Sequence, residues 1–122
     1  MARILIADDS PDASEIIARI CEFQGHEVAE SRDASQALSL FESFAPDLLI
    51  TDLAMPMGGG QELVSKIRQR TGNETFPVIV ISGYAAMLGD DEREELAPCT
   101  ILSKPLDLQP MLDALNDALA TN

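Results

Sequence analysis

Asp8-Asp9, Asp52, Ser82 and Lys104 close four short apolar runs: Ile4-Leu5-Ile6-Ala7, Leu48-Leu49-Ile50-Thr51, Val78-Ile79-Val80-Ile81 and Ile101-Leu102-Ser103. If those runs are parallel strands, their endings share one edge of one sheet. Three carboxylates, a hydroxyl and an ammonium then meet in one crevice. Crowded carboxylates repel one another, and a divalent cation relieves that repulsion. A site with few protein carboxylates and several waters is what Mg²⁺ prefers, with Mn²⁺ as a substitute. Lysine supplies a positive charge for a phosphoryl oxygen and serine a hydroxyl donor. Gly83 has no side chain, so its backbone amide is expected to approach such a group closely. One carboxylate beside the cation can attack phosphorus and form an acyl phosphate.

The elements that must position these residues alternate from end to end. Ser10-Pro11 starts a helix, with serine as N-cap and proline at the first helical position. Ile16, Ile17, Ile20, Cys21 and Phe23 recur at helical spacing as its core stripe, and Gly25 ends it. Residues 26–31 alternate like an edge strand with one wet face. Asp33 caps a second helix with stripe Ala37, Leu38, Phe41 and Phe44, closed by Ala45-Pro46. After the Asp52 strand, Gly58-Gly59-Gly60 opens a loop expected to be mobile, and Leu63, Val64 and Ile67 define a third helix ending near Thr71-Gly72-Asn73. A short helix is expected within residues 85–97, stopped by Pro98, with Asp90 to Glu95 as a solvated face. Leu108, Met111, Leu112, Leu115 and Leu119 mark the last helix, with Pro110 in its first turn.

Near-continuous apolar strands joined by helices imply an α/β fold, a doubly wound five-stranded parallel sheet with helices on both faces. In such sheets ligands sit beyond the carboxyl ends of the strands, where the strand order reverses. The polar endings occupy those ends.

The 122 residues suit one domain. Lys plus Arg number 8 against 21 Asp plus Glu, a net charge of −13, which argues against nucleic acid and anionic membranes as partners. Cys21 and Cys99 lack metal-site spacing and read as small apolar residues of a cytoplasmic protein. No apolar run approaches the ~20 residues of a membrane span. His26, the single histidine, reads as a surface residue, so serine–histidine catalysis has little support.

Asp8-Asp9, Asp52 followed by Met55-Pro56 and Gly60, Ser82-Gly83, and Lys104-Pro105 resemble the motif set of response-regulator receiver domains. Alone, each pair reads as a helix cap or a turn; in order at successive strand ends they reverse that reading. The resemblance covers nearly the whole chain and implies the flavodoxin-like strand order 2-1-3-4-5. It implies Asp52 as phosphoacceptor, Ser82 as switch hydroxyl and Lys104 as phosphoryl contact. Asp9, Asp52 and the Ala54 backbone carbonyl would hold Mg²⁺, with Asp8 acting through water. Pro105 would follow a cis peptide that aims the lysine. The expected partners are a sensor histidine kinase or histidine phosphotransfer protein and a downstream protein. Asn122 follows the last helix closely, so residues 1–122 are expected to be a single receiver domain without an output domain.

Two positions depart from the pattern. Ile101 stands where receivers usually carry an aromatic residue whose ring follows the switch hydroxyl inward. Tyr84, two residues after Ser82, is then the candidate gate. Competing readings are a non-switching docking module of the same fold and an aspartate-nucleophile phosphatase. The latter needs a second aspartate where Ala54 stands.

Overall fold

The computed structural model describes residues 1–55, 59–83 and 85–120. Five strands form one parallel sheet: β1 (Arg3–Ala7), β2 (Glu27–Ser31), β3 (Leu48–Thr51), β4 (Val78–Ser82) and β5 (Thr100–Ser103). Their order is β2-β1-β3-β4-β5. Every residue of β3 and β4 is buried, as is β1 after Arg3, whereas the edge strands β2 and β5 are mostly half-exposed. Three of the four apolar runs read from the sequence are therefore strands covered on both faces, whereas Ile101-Leu102-Ser103 lies in the edge strand β5.

Four helices connect them, α1 (Pro11–Phe23), α2 (Ala34–Phe44), α3 (Gly59–Thr71) and α4 (Asp90–Leu96), and α5 (Leu108–Leu119) follows β5. Ser10 caps α1 by accepting from the Ala13 amide at 3.3 Å, and Asp33 caps α2 by accepting from the Gln36 amide at 2.7 Å. Alternate strand residues feed two apolar layers, as the period-two pleat requires. Leu5, Leu49 and Val80 face α2, α3 and α4, where Ala37, Leu63 and Leu96 pack. Ile4, Ile50 and Ile81 face α1 and α5, where Ile17, Cys21, Met111 and Leu115 pack.

Several local expectations change. The buried face of α1 is Ser14, Ile17, Ala18 and Cys21, while Ile16 and Phe23 are 55% and 89% exposed. Apolar residues span too wide an arc of that helix for the sheet to cover all of them. Leu108, which lies on the same stripe as Met111 and Leu115 but is the first residue of α5, is exposed as well. The glycine run does not remain a loop to Gly60, because α3 already begins at Gly59; Gly58 and the rest of residues 56–58 lie outside the described residues. The 85–97 segment divides into a 3₁₀ turn, Ala85–Met87, and α4. His26 is half-buried and accepts from the Ala2 amide at 3.0 Å. Burial, then the N-terminal charge, lowers its pKa.

Register decides what meets at the sheet edge. Ala7 pairs with Ser31 on one side and Thr51 on the other, and Ser82 pairs with Ser103. One residue further along, Asp8, Asp52 and Lys104 emerge from β1, β3 and β5. The chain leaves β1 toward β2 and returns to β3 on the opposite side, so the crevice lies at the reversal point.

Candidate functional site

Each carboxylate is set by the backbone around it. The Asp8 amide donates to the Ser31 carbonyl at 3.0 Å and the Asp52 amide to the Ala7 carbonyl at 2.9 Å, extending the sheet ladder one step. Asp8 Oδ1 accepts from the Ser10 amide at 2.9 Å, and Asp52 Oδ1 accepts from the Ala54 amide at 3.2 Å. Both are local turns in which an aspartate holds the amide two residues on. Sequence reasoning passed over these two amides, although aspartate at the head of a turn is their signal.

Lys104 joins the two. Its Nζ donates to Asp52 Oδ2 at 2.8 Å and to Asp8 Oδ2 at 3.1 Å. Asp8 is 1% exposed and Asp52 7%. Burial alone would lower the lysine pKa, but the hydrogen bonds to Asp52 and then Asp8 outweigh it and raise the pKa. The ammonium is therefore firmly charged. The Lys104 amide also donates to the Ser82 carbonyl at 3.0 Å, which ties the lysine to the end of β4, and the Lys104–Pro105 peptide is cis.

Asp9 is exposed at the mouth of the crevice. One carboxylate oxygen each from Asp8, Asp9 and Asp52 lie within 4.8 Å of one another. An all-oxygen, all-anionic donor set without cysteine or histidine fits a hard divalent cation such as Mg²⁺ or Mn²⁺. Among the described residues the Lys104 ammonium pairs with Asp8 and Asp52 while Asp9 adds a third carboxylate, so the cluster carries an excess of negative charge that such a cation would balance.

Ser82 is fully buried at the end of β4, and Gly83 follows it. A Cβ built on Gly83 would meet nothing within 4 Å. The crowded glycine is Gly60. There a Cβ would overlap the Asp52 carbonyl oxygen and lie 2.9 Å from Leu53 Cα. Ile101 is half-buried and packs against the layer that holds Leu96. Tyr84 and Pro56 lie outside the described residues.

The chain matches the response regulator receiver domain over residues 4–116. It belongs to that family. The receiver is 36% identical over 113 residues, 93% of its length, to the response regulator receiver protein Anae109_2439 of Anaeromyxobacter sp. (strain Fw109-5). It is 41% identical over 80 residues, 66% of its length, to the sensor histidine kinase TmoS of Ectopseudomonas mendocina. The chain spans 47% and 8% of those two relatives. Across its whole length the receiver superposes on the N-terminal domain of a Wolinella succinogenes protein, WS1339, with a TM-score of 0.84 and 32% identity, covering all of that chain. Receiver domains are signalling domains rather than classical enzymes. Among the described residues of this receiver, no helix is long and apolar enough to cross a membrane.

Proposed function

We propose that this receiver is a phosphoacceptor of a two-component phosphorelay, with Asp52 as the residue that carries the phosphoryl group. The observation that supports it most is the Lys104 ammonium bridging Asp52 and Asp8 beside the Asp9 carboxylate. An Asp52 carboxylate oxygen attacks the phosphorus of a phosphohistidine on a sensor histidine kinase or histidine phosphotransfer protein. The P–O bond forms as the P–N bond breaks, and its electron pair leaves with the imidazole, which takes up a proton. Asp9, Asp52 and the Ala54 carbonyl would hold Mg²⁺, and Asp8 would reach it through water. The cation would offset the charge of the incoming phosphoryl oxygens. Lys104 is placed to follow one of those oxygens away from Asp52. Ser82 supplies a hydroxyl at the end of β4, and its movement toward the phosphoryl group would alter the surface that a downstream protein reads. Hydrolysis of the acyl phosphate by water resets the domain slowly. We place this exchange in the cytoplasm.

Incubation with acetyl phosphate and Mg²⁺, read by intact mass, tests the assignment. The parent is expected to gain one phosphoryl group and Asp52→Asn none. A gain of equal size in Asp52→Asn would move the acceptor elsewhere. A parent inert to acetyl phosphate and to beryllofluoride would instead support the docking-module reading.

A further inference from the structure

Two arginines hold α4 at its two ends, and both grip backbone carbonyls. At the rear, Arg68 of α3 is 8% exposed and donates to the carbonyls of Leu96 at 2.7 Å, Ala97 at 3.1 Å and Pro98 at 2.6 Å. Its other bond, 3.0 Å to the Phe76 carbonyl, anchors the same guanidinium just ahead of β4. At the front, Arg93 of α4 donates through Nη2 to the Ala85 carbonyl at 2.7 Å and through Nε to the Leu88 carbonyl at 3.4 Å. Between these grips α4 buries only Leu96, and residues 90–95 are exposed. A helix of two turns with one buried side chain has little packing to fix its angle. Its rear end is pinned by a buried, multiply bonded guanidinium. At its front end Glu92 accepts from the Gly89 amide at 3.1 Å and from Gln61 of α3 at 3.4 Å, and the short charge-assisted bond from Arg93 to Ala85 is the one that reaches back toward β4.

That bond reaches Ala85, three residues beyond Ser82 and itself buried in the core. We propose that Arg93 is a positioning residue that couples the β4–α4 junction to α4, so that a displacement at Ser82 swings α4 about the Arg68 grip. The inference rests on the phosphoacceptor reading above and names its route outward. Ile101 has no polar atom with which to take part, and its aliphatic side chain packs in the layer beneath Leu96. Arg93 is the charged side chain that, among the described residues, joins α4 to Ala85 of the segment following Ser82, and its reach of eight residues crosses from helix to 3₁₀ turn.

Backbone amide spectra of the full chain, recorded with Mg²⁺ before and after beryllofluoride, test the coupling. In the parent, Gly83, Ala85 and the amides of residues 90–96 are expected to shift. In Arg93→Ala the shifts at Gly83 and Ala85 are expected to remain while those of α4 are lost. Arg93→Lys keeps a cation with a single donor centre and is expected to recover part of the α4 response. If Arg93→Ala melts α4 before ligand is added, Arg93→Lys carries the test through its reduced response. An α4 response as large as the parent's in either variant overturns the coupling. A parent that shifts at Gly83 but not in α4 overturns it as well, and leaves the phosphoacceptor reading standing. A parent with no shift at Gly83 overturns both.

Discussion

Gly60, in the first turn of α3, sits directly against the backbone of Asp52: a Cβ there would overlap the Asp52 carbonyl oxygen and lie 3.0 Å from its carbonyl carbon. The Gly60 amide donates to the Leu53 carbonyl at 3.0 Å, which closes the approach. The start of α3 is thereby locked to the strand end that presents the Asp52 carboxylate.

Gly60→Ala tests this contact. Replacing a helical glycine with alanine ordinarily stabilises by roughly 0.5–1 kcal/mol. Here the neighbour is backbone and cannot turn aside, so overpacking of about 1–3 kcal/mol is expected to win. Urea unfolding should show net destabilisation, and phosphorylation by acetyl phosphate should slow because Asp52 is displaced. A variant as stable as the parent would show that the loop yields freely.

Asp9→Asn separates metal binding from folding. Among the described residues Asp9 is the carboxylate of the cluster that does not pair with the Lys104 ammonium, so removing its exposed charge relieves repulsion in metal-free buffer. The variant is expected to be at least as stable as the parent in EDTA. Saturating Mg²⁺ should stabilise the parent, by about 2.7 kcal/mol at a hundredfold excess over Kd, and the variant far less. Thermal melts with and without Mg²⁺ read both effects, and equal Mg²⁺ gains would remove Asp9 from the ligand set.

Lys104 predicts an alkaline limb of stability. Its pKa is raised above the ordinary value of 10.5: burial opposes the shift, but the hydrogen bonds to Asp52 and Asp8 prevail. The folded state then holds its proton more tightly than the unfolded chain. This contribution is complete at pH values below 10.5 and is lost as pH rises through the folded value. Unfolding free energies of the parent and Lys104→Met should therefore converge above that point. A difference independent of pH would contradict the pairing.

Arg68→Met should be among the most destabilising single changes outside the crevice. It removes the guanidinium donor from four backbone carbonyls, of which the bonds to Leu96 and Phe76 are buried, and Arg68 itself is 8% exposed. Stranding buried carbonyls costs about 1–3 kcal/mol each, so a loss of ~3 kcal/mol or more is expected by urea unfolding. Arg68→Lys should recover only part, because one ammonium cannot reproduce a planar fork.

Much of this was legible in the chain because its signals are local. Ser10 and Asp33 announce helix starts through their own hydroxyl and carboxylate, and Val78 to Ile81 can only be a strand covered on both faces. The line of Asp8, Asp52, Ser82 and Lys104 follows from strand ends alone, since parallel strands bring like ends to one edge. Arg68 was not legible: an arginine on an amphipathic helix reads as a solvent-facing residue. Its partners Leu96, Ala97 and Pro98 lie 28 to 30 positions away and are backbone atoms without a side-chain signature.

By itself, then, the sequence determined the element order, the parallel sheet and the residue types delivered to one crevice, because hydrophobic period and turn chemistry act over a few residues. Tertiary structure decided the pairings within that crevice. It set Lys104 between Asp52 and Asp8, left Asp9 exposed, pressed Gly60 against Asp52 and turned Phe23 outward. Those outcomes depend on register and on distances of a few ångströms between segments far apart in the chain, where no local preference acts.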